Sequence, residues 1–139
     1  MHLFDTDSLV HLHSGHARIR QRLSELDDPN VGTTIVTKIE LLKGRIDFVL
    51  KAATGAELLR AQQWFLRTEE LLAQLRIVSF DAAAADQFDR LRATRSLRKI
   101  GRADCLIASI VLANRAILVT RNVKHFRQIP SVRVENWVD

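Results

Sequence analysis

The chain carries a single cysteine, two prolines and five glycines among its 139 residues. One thiol excludes a disulfide framework and any zinc site built on several cysteines, and it fits a reducing compartment. So few prolines and glycines exclude collagen-like and linker-rich chains. Long apolar runs are missing too. The longest, Cys105 to Ala113, is far short of the ~20 residues that span a bilayer. The opening MHLFDTD has neither a basic segment nor an extended apolar one, so no signal peptide is expected. These deficits lead us to expect a cytoplasmic chain with no membrane association. What is present is ordinary for a globular protein: 47% hydrophobic and 27% charged residues. That balance excludes intrinsic disorder, and the length suits one domain over residues 1–139.

Charge is unevenly spread. The net charge of +5 divides into −2 for residues 1–88 and +7 for residues 89–139. Between Arg90 and Arg102 stand Arg90, Arg92, Arg95, Arg98, Lys99 and Arg102, with no acid among them. Such a block favours polyanions and phosphate contacts, although a solvated helix face has the same composition.

Periodicity and turn chemistry place the elements. His2-Leu3-Phe4 reads as a buried strand ending at Asp5. Short helices follow over Ser8–His13 and His16–Leu26, and Asp27-Asp28-Pro29-Asn30 is a turn. Val31–Val36 reads as a second strand. Thr37-Lys38-Ile39-Glu40 has the capping-box pattern, so a helix is expected to start there, with Ile39, Leu42, Ile46, Val49 and Leu50 as its apolar face. Ala56 to Arg76 reads as a long helix and Ile77–Phe80 as a third strand. Asp81 is expected to cap a helix over Ala82–Ala93. Arg102–Asn114 reads as a buried helix, with further strands at Ile117–Thr120 and Val132–Trp137. Alternating strands and helices predict an α/β fold: a three-layer α/β/α sandwich on a parallel, about five-stranded sheet.

Ligands bind such sheets beyond the carboxyl ends of the strands. That rule singles out Asp5, Glu40, Asp81, Thr120-Arg121-Asn122 and, if its helix starts at the same edge, Asp104. Were Asp5, Glu40 and Asp104 gathered, each pair ~5 Å apart would repel by about 3 kcal/mol at an effective dielectric near 20. The cluster stays ionised only beside a cation, and oxygen donors favour Mg²⁺ or Mn²⁺. Carboxylates, a hard ion and nearby arginines together point to metal-assisted phosphodiester hydrolysis. Each acid also has a simpler role: Asp5 and Asp104 as helix-start acids, Glu40 as the capping-box partner of Thr37, Asp7 as a cap or an outer-shell ligand. His11, His13 and His16 do not share a helical face and are not read as a zinc site. Cys105 begins an apolar stretch and reads as an inert thiol. Trp64, Phe65 and Leu66 read as core or dimer contacts.

Several stretches resemble the PIN-domain family, in particular the VapC-type toxins of toxin–antitoxin pairs. They are FDTDSLV (Phe4–Val10), TTIVTKIELLKG (Thr33–Gly44), IGRADCLIASIVLANRAILVT (Ile100–Thr120) and TRNVKHFRQIP (Thr120–Pro130), with VRVENW near the end. The resemblance implies a Mg²⁺- or Mn²⁺-dependent ribonuclease that often forms homodimers and is silenced by a cognate antitoxin protein. It places the family acids on Asp5, Glu40 and Asp104, and the fourth position on Asn122, where an acid is frequent. Asn supplies a carbonyl oxygen without charge, so one ion rather than two is expected. Thr6 and Thr120 match polar positions lining such sites. Arg95, Arg98, Lys99 and Arg102 are candidates for RNA phosphate contacts that position without reading sequence. In-line attack by a metal-activated water, leaving a 5′-phosphate and a 3′-hydroxyl, is the implied reaction. Two other readings stand beside it. One is a non-catalytic RNA- or protein-binding module on the same fold. The other is a haloacid-dehalogenase-type phosphatase, with Asp5 as nucleophile and Asp7 as acid/base, which lacks the downstream acidic pair that chemistry needs.

Overall fold

Short apolar and β-branched runs form five strands, and longer amphipathic runs form the helices between them. The computed structural model describes residues Met1–Asp139. In chain order it contains β1 (His2–Phe4), α1 (Thr6–His13), α2 (Ala17–Glu25), β2 (Val31–Thr34), α3 (Ile35–Leu50), α4 (Gly55–Gln74) and β3 (Arg76–Val78). Then come α5 (Ala82–Ala93), one 3-10 turn (Arg95–Leu97), α6 (Arg102–Ala113), β4 (Ile117–Val119), α7 (Val123–Phe126) and β5 (Arg133–Glu135). All strand pairs are parallel, in the order β3-β2-β1-β4-β5.

Strand side chains alternate between faces, and the core divides accordingly. Leu3 and Leu118 pack with Ala84, Leu91, Ile107, Ala108 and Val111 from α5 and α6. Phe4 and Val119 pack with Leu9, Ile19, Leu41, Leu72 and Trp137 on the other side. Each large apolar side chain fully buried here stabilises the fold by about 1.5–3 kcal/mol. The result is the expected three-layer α/β/α sandwich.

Three local expectations need correction. The second strand stops at Thr34, whose side chain accepts from the Thr37 amide and caps α3. Thr37 is therefore inside the first turn and Glu40 on the second, so the two do not form a capping box. The expected apolar face of that helix is also displaced. Val36, Thr37 and Leu41 are buried, while Ile39, Ile46 and Leu50 are exposed. Finally, the fifth strand is only Arg133–Glu135. Trp137 lies beyond it, buried edge-on against Phe4 at 5.4 Å, with Nε1 donating to Glu135 at 2.7 Å. Asp81 does cap α5, accepting from the Ala84 amide.

One hydrogen-bonded carboxylate fastens the start of β1 to the turn before β2. His2 Nδ1 lies 2.6 Å from Asp28 Oδ2, and the Asn30 amide donates to Oδ1 at 2.9 Å. The hydrogen bond from His2, helped by that amide, pulls the Asp28 pKa down to about 2. A carboxyl depressed in the folded state adds stability above its unfolded value, and that stability is lost as pH falls through the folded one. Asp28→Asn should therefore be less stable than wild type at neutral pH. The gap should close between about pH 4 and about pH 2, the window set by the unfolded and folded values. Urea unfolding at several pH values measures it, and a gap unchanged at pH 2 would refute the hydrogen-bonded-carboxylate account.

Candidate active site at the carboxyl edge of the sheet

The chain lays β2 and β3 on one side of β1, then crosses to lay β4 and β5 on the other. Such a switch point opens a crevice beyond the carboxyl ends of the strands. Asp5 is the first residue past β1 and is 8% exposed. Its amide donates to the Val119 carbonyl at 3.0 Å, which ties it to the end of β4. Its Oδ1 accepts from the Ser8 amide at 2.9 Å, capping α1. Burial raises the Asp5 pKa, and Asp7 adds to the rise. Hydrogen bonds from Thr120 and Ser8 oppose it without cancelling it.

Glu40 reaches the same place from the second turn of α3. Its Oε1 accepts from Thr6 Oγ1 at 2.8 Å, and Thr6 Oγ1 lies 3.2 Å from the buried Thr37 hydroxyl. Asp104 stands in the first turn of α6, where the helix dipole favours an acid. Its Oδ2 is 3.0 Å from His125 Nε2 on α7. Asn122 directly precedes α7, and its amide donates to the buried Thr120 hydroxyl at 3.0 Å.

A cavity of about 210 Å³ is lined by Asp5, Thr6, Asp7, Glu40, Asp104 and Asn122, with Ile107 and Phe126 as its apolar wall. The structure thus brings Asp5, Thr6, Glu40, Asp104 and Asn122 together. Thr120 supports Asp5 from within the protein. Arg95, Arg98, Lys99 and Arg102 do not line the cavity. They lie on the exposed segment leading into α6, and the Arg102 guanidinium sits 5.9 Å from the Phe88 ring. His125 was not singled out by sequence. The signal that could have found it is its place three residues after Asn122, which sets both on the edge of one short helix. Asp7 is no cap, since Asp5 fills that role, but it does line the cavity.

The donor set decides what could bind. No three acid, histidine or cysteine side chains sit close enough to form a ready coordination shell. The donors lining the cavity are all oxygens, which suit a hard ion, and Mg²⁺ commonly keeps several of its waters. Asp5 is a buried carboxylate pushed toward its neutral form, and a cation would relieve that penalty. The residues therefore fit a hydrated divalent ion held partly through water.

Comparison with known proteins agrees with this architecture. The chain is 40% identical over 68 residues to Ribonuclease VapC2 of Rickettsia felis, a match covering 48% of this chain and 51% of that protein. It is 31% identical over 71 residues to the tRNA(fMet)-specific endonuclease VapC of Shigella flexneri, covering 50% of this chain and 54% of that one. The matches thus span about half the length of these curated relatives. The crystal structure of VapBC2 from Rickettsia felis bound to a DNA fragment from their promoter superposes with a TM-score of 0.80 at 27% identity, covering 98% of each chain. The PIN domain family profile matches residues 3–131, and the chain belongs to that family.

Proposed function

We propose that this chain is a divalent-metal-dependent endoribonuclease and the toxin of a toxin–antitoxin pair. The observation that carries this reading is the convergence of Asp5, Glu40, Asp104 and Asn122 on one cavity at the sheet's switch point. The names of its relatives support it: two are a ribonuclease and a tRNA(fMet)-specific endonuclease, and a similar solved structure from Klebsiella pneumoniae is a toxin–antitoxin complex.

In this reading Asp5, Glu40 and Asp104 hold the ion, directly or through waters, and Asn122 contributes its amide oxygen or orients a water. The chemistry an ion held by these residues would supply is activation of water and neutralisation of charge on the scissile phosphate, for which Mg²⁺ or Mn²⁺ is suited. Thr6 fixes the Glu40 carboxylate through its 2.8 Å hydrogen bond. Thr120 fixes Asp5 and, through its hydroxyl, the Asn122 backbone. His125 Nε2 lies beside the Asp104 carboxylate at 3.0 Å, out of hydrogen-bonding alignment, where a small rotation of either side chain would let it donate. Ile107 and Phe126 keep bulk water from one wall. Arg95, Arg98, Lys99 and Arg102 hold flanking phosphates at the approach to α6. An antitoxin would reach Glu40 along the groove of Val10, Leu41, Phe48 and Trp64, which borders that carboxylate. A homodimer would cover part of the apolar surface of α3 and α4.

The test is degradation of single-stranded RNA with and without Mg²⁺ or Mn²⁺. Cleavage that needs the ion is expected, and RNA binding without cleavage would favour the non-catalytic module. A second test needs no RNA. An ion that binds only the folded protein stabilises it by about 2.7 kcal/mol at a hundred times its Kd. Millimolar Mn²⁺ should therefore raise the melting temperature of wild type by several degrees, and Asp104→Asn should blunt the shift. A flat response would count against a site formed before RNA arrives.

A further inference from the structure

A roomy concavity lies at the opposite end of the sheet from the acid cavity. It holds about 640 Å³ and is framed by the last turns of α5 and α6 and by the residues entering β4 and β5. Three arginines face it: Arg90 from α5, Arg115 just before β4, and Arg133 at the start of β5. No carboxylate lines it. The arginines that pair with acids, Arg22 and Arg121, are elsewhere. Thr94 and Ser131 add hydroxyls at the rim, and Leu97, Leu112 and Pro130 give an apolar floor.

The chain is bent to make this place. Arg115 and Ser131 are the two non-glycine residues with positive φ, at 50° and 70°, and both stand at the pocket. The Arg133 guanidinium donates to the Arg115 carbonyl at 2.6 Å, which fixes the first bend. Favourable interaction with helix dipoles accounts singly for Arg90, in the last turn of α5, and for Arg115, just past α6. It does not account for Arg133, which is on a strand, nor for three cations meeting over one concavity.

We propose that this concavity is a second RNA contact: it grips backbone phosphate of the substrate strand at a point remote from cleavage. The inference rests on the ribonuclease reading for the identity of the polyanion. Guanidinium forks match phosphate oxygens in pairs. The volume falls within the ~300–1,000 Å³ range of sites that enclose small ligands, so a nucleotide fits, with sugar or base against the apolar floor. The seven steps of chain from Arg115 to Asn122, at no more than ~3.3 Å each, set the two sites up to about 20 Å apart. An RNA long enough to wrap the sheet edge meets both sites, and a very short oligonucleotide meets only one.

The experiment uses the full chain with Arg90 and Arg115 both changed to Gln, leaving Arg133 to hold its hydrogen bond. Binding of a fluorescent single-stranded RNA of about 20 nucleotides is followed by anisotropy in EDTA, across a salt series. Affinity should fall about tenfold near 0.1 M salt. The slope of log affinity against log salt should become shallower by about 1.4, at ~0.7 for each phosphate that no longer meets an arginine. With metal present, KM for the long RNA should rise while kcat, and cleavage of a trinucleotide, stay as in wild type. An unchanged slope and Kd would overturn the proposal. So would loss of polyglutamate binding with RNA binding intact, which would assign the pocket to an acidic protein. If the double variant does not fold, Thr94→Glu places an acid on the exposed rim and must produce the same loss. A wild type that binds through these arginines yet cleaves nothing would sink the nuclease reading and leave the RNA site standing.

Discussion

Changing Asp5 to Asn should lower metal-dependent RNA cleavage by roughly 10³-fold, about 4 kcal/mol of transition-state stabilisation, while raising the melting temperature of the metal-free protein. The two effects have one cause. Asp5 is buried at the junction of β1 and β4, and that burial raises its pKa. A carboxyl held above its unfolded value of 3.8 binds its proton more tightly in the folded state. Its contribution to stability is therefore present at low pH and is lost as pH rises through the folded value. At neutral pH the ionised group costs the fold. Asn removes that cost, keeps nearly the same volume, and still accepts from the Ser8 amide to cap α1. The same change removes the one buried negative donor from the cavity, and with it the attraction that would hold a divalent ion against its hydration. Strain of this kind persists where function requires it. Asp7, 53% exposed, is a useful contrast, because Asp7→Asn should only weaken cleavage. A phosphatase using Asp7 as its acid would instead be abolished by that change. Wild-type rates in Asp5→Asn would point to a contaminating nuclease or a misplaced site. A metal-free protein that melts well below wild type would make Asp5 a structural cap and nothing more.

How much of this could be read in the sequence depends on whether the signal was local. Asp5 and Asp81 each follow a strand and precede a helix, and side-chain caps are local chemistry, so both were legible. The start of α3 was not. Thr34 and Thr37 are both competent caps, and Ile35-Val36 between them have strand propensity, so Thr37-Lys38-Ile39-Glu40 looked like the boundary. The helix begins at Ile35 because Thr34 takes the Thr37 amide and the Thr37 side chain is needed beneath Thr6. Nothing within that segment reveals Thr6, 31 residues away. The apolar face of α3 was misjudged for a related reason. The helix carries apolar residues on two faces, and periodicity does not say which face meets the sheet. Ile39 and Leu50, 58% and 76% exposed, lie on the other one. His125 escaped notice because α7 is a single turn, too short for any period, and its tie to Asp104 spans 21 positions of chain. The basic tract was legible as charge but not as direction. Arg92 and Arg102 both turn to the Phe88 ring instead of the acid cavity.

Gly32→Ala should be the most damaging small substitution in the sheet. Gly32 lies on β2 in register with Arg76 of β3. A Cβ built there would stand 2.1 Å from the Arg76 carbonyl oxygen and 3.0 Å from the Arg76 Cβ. The nearest obstacle is backbone, which cannot rotate aside as a side chain does. Either β3 moves away or its ladder with β2 breaks. Overpacking of this severity costs about 3 kcal/mol, a large share of the ~5–15 kcal/mol that holds a domain folded. The melting temperature should fall by roughly 10 °C. The damage should also reach the site. β3 is a three-residue edge strand, and the next residues of β2 are Thr33, which donates to the Phe4 carbonyl at 2.6 Å, and Thr34, which caps α3. Displacing β2 tilts the helix that carries Glu40 and disturbs the end of β1 that carries Asp5. Gly44→Ala is the matched control, since nothing lies within 4 Å of a Cβ there and the residue is in the middle of α3. Relief of helical glycine should stabilise that variant by about 0.5–1 kcal/mol. Thermal melts of the two variants beside wild type should move in opposite directions. A Gly32→Ala protein that melts with wild type would mean that β3 gives way freely and that the sheet edge does not hold α3 in place.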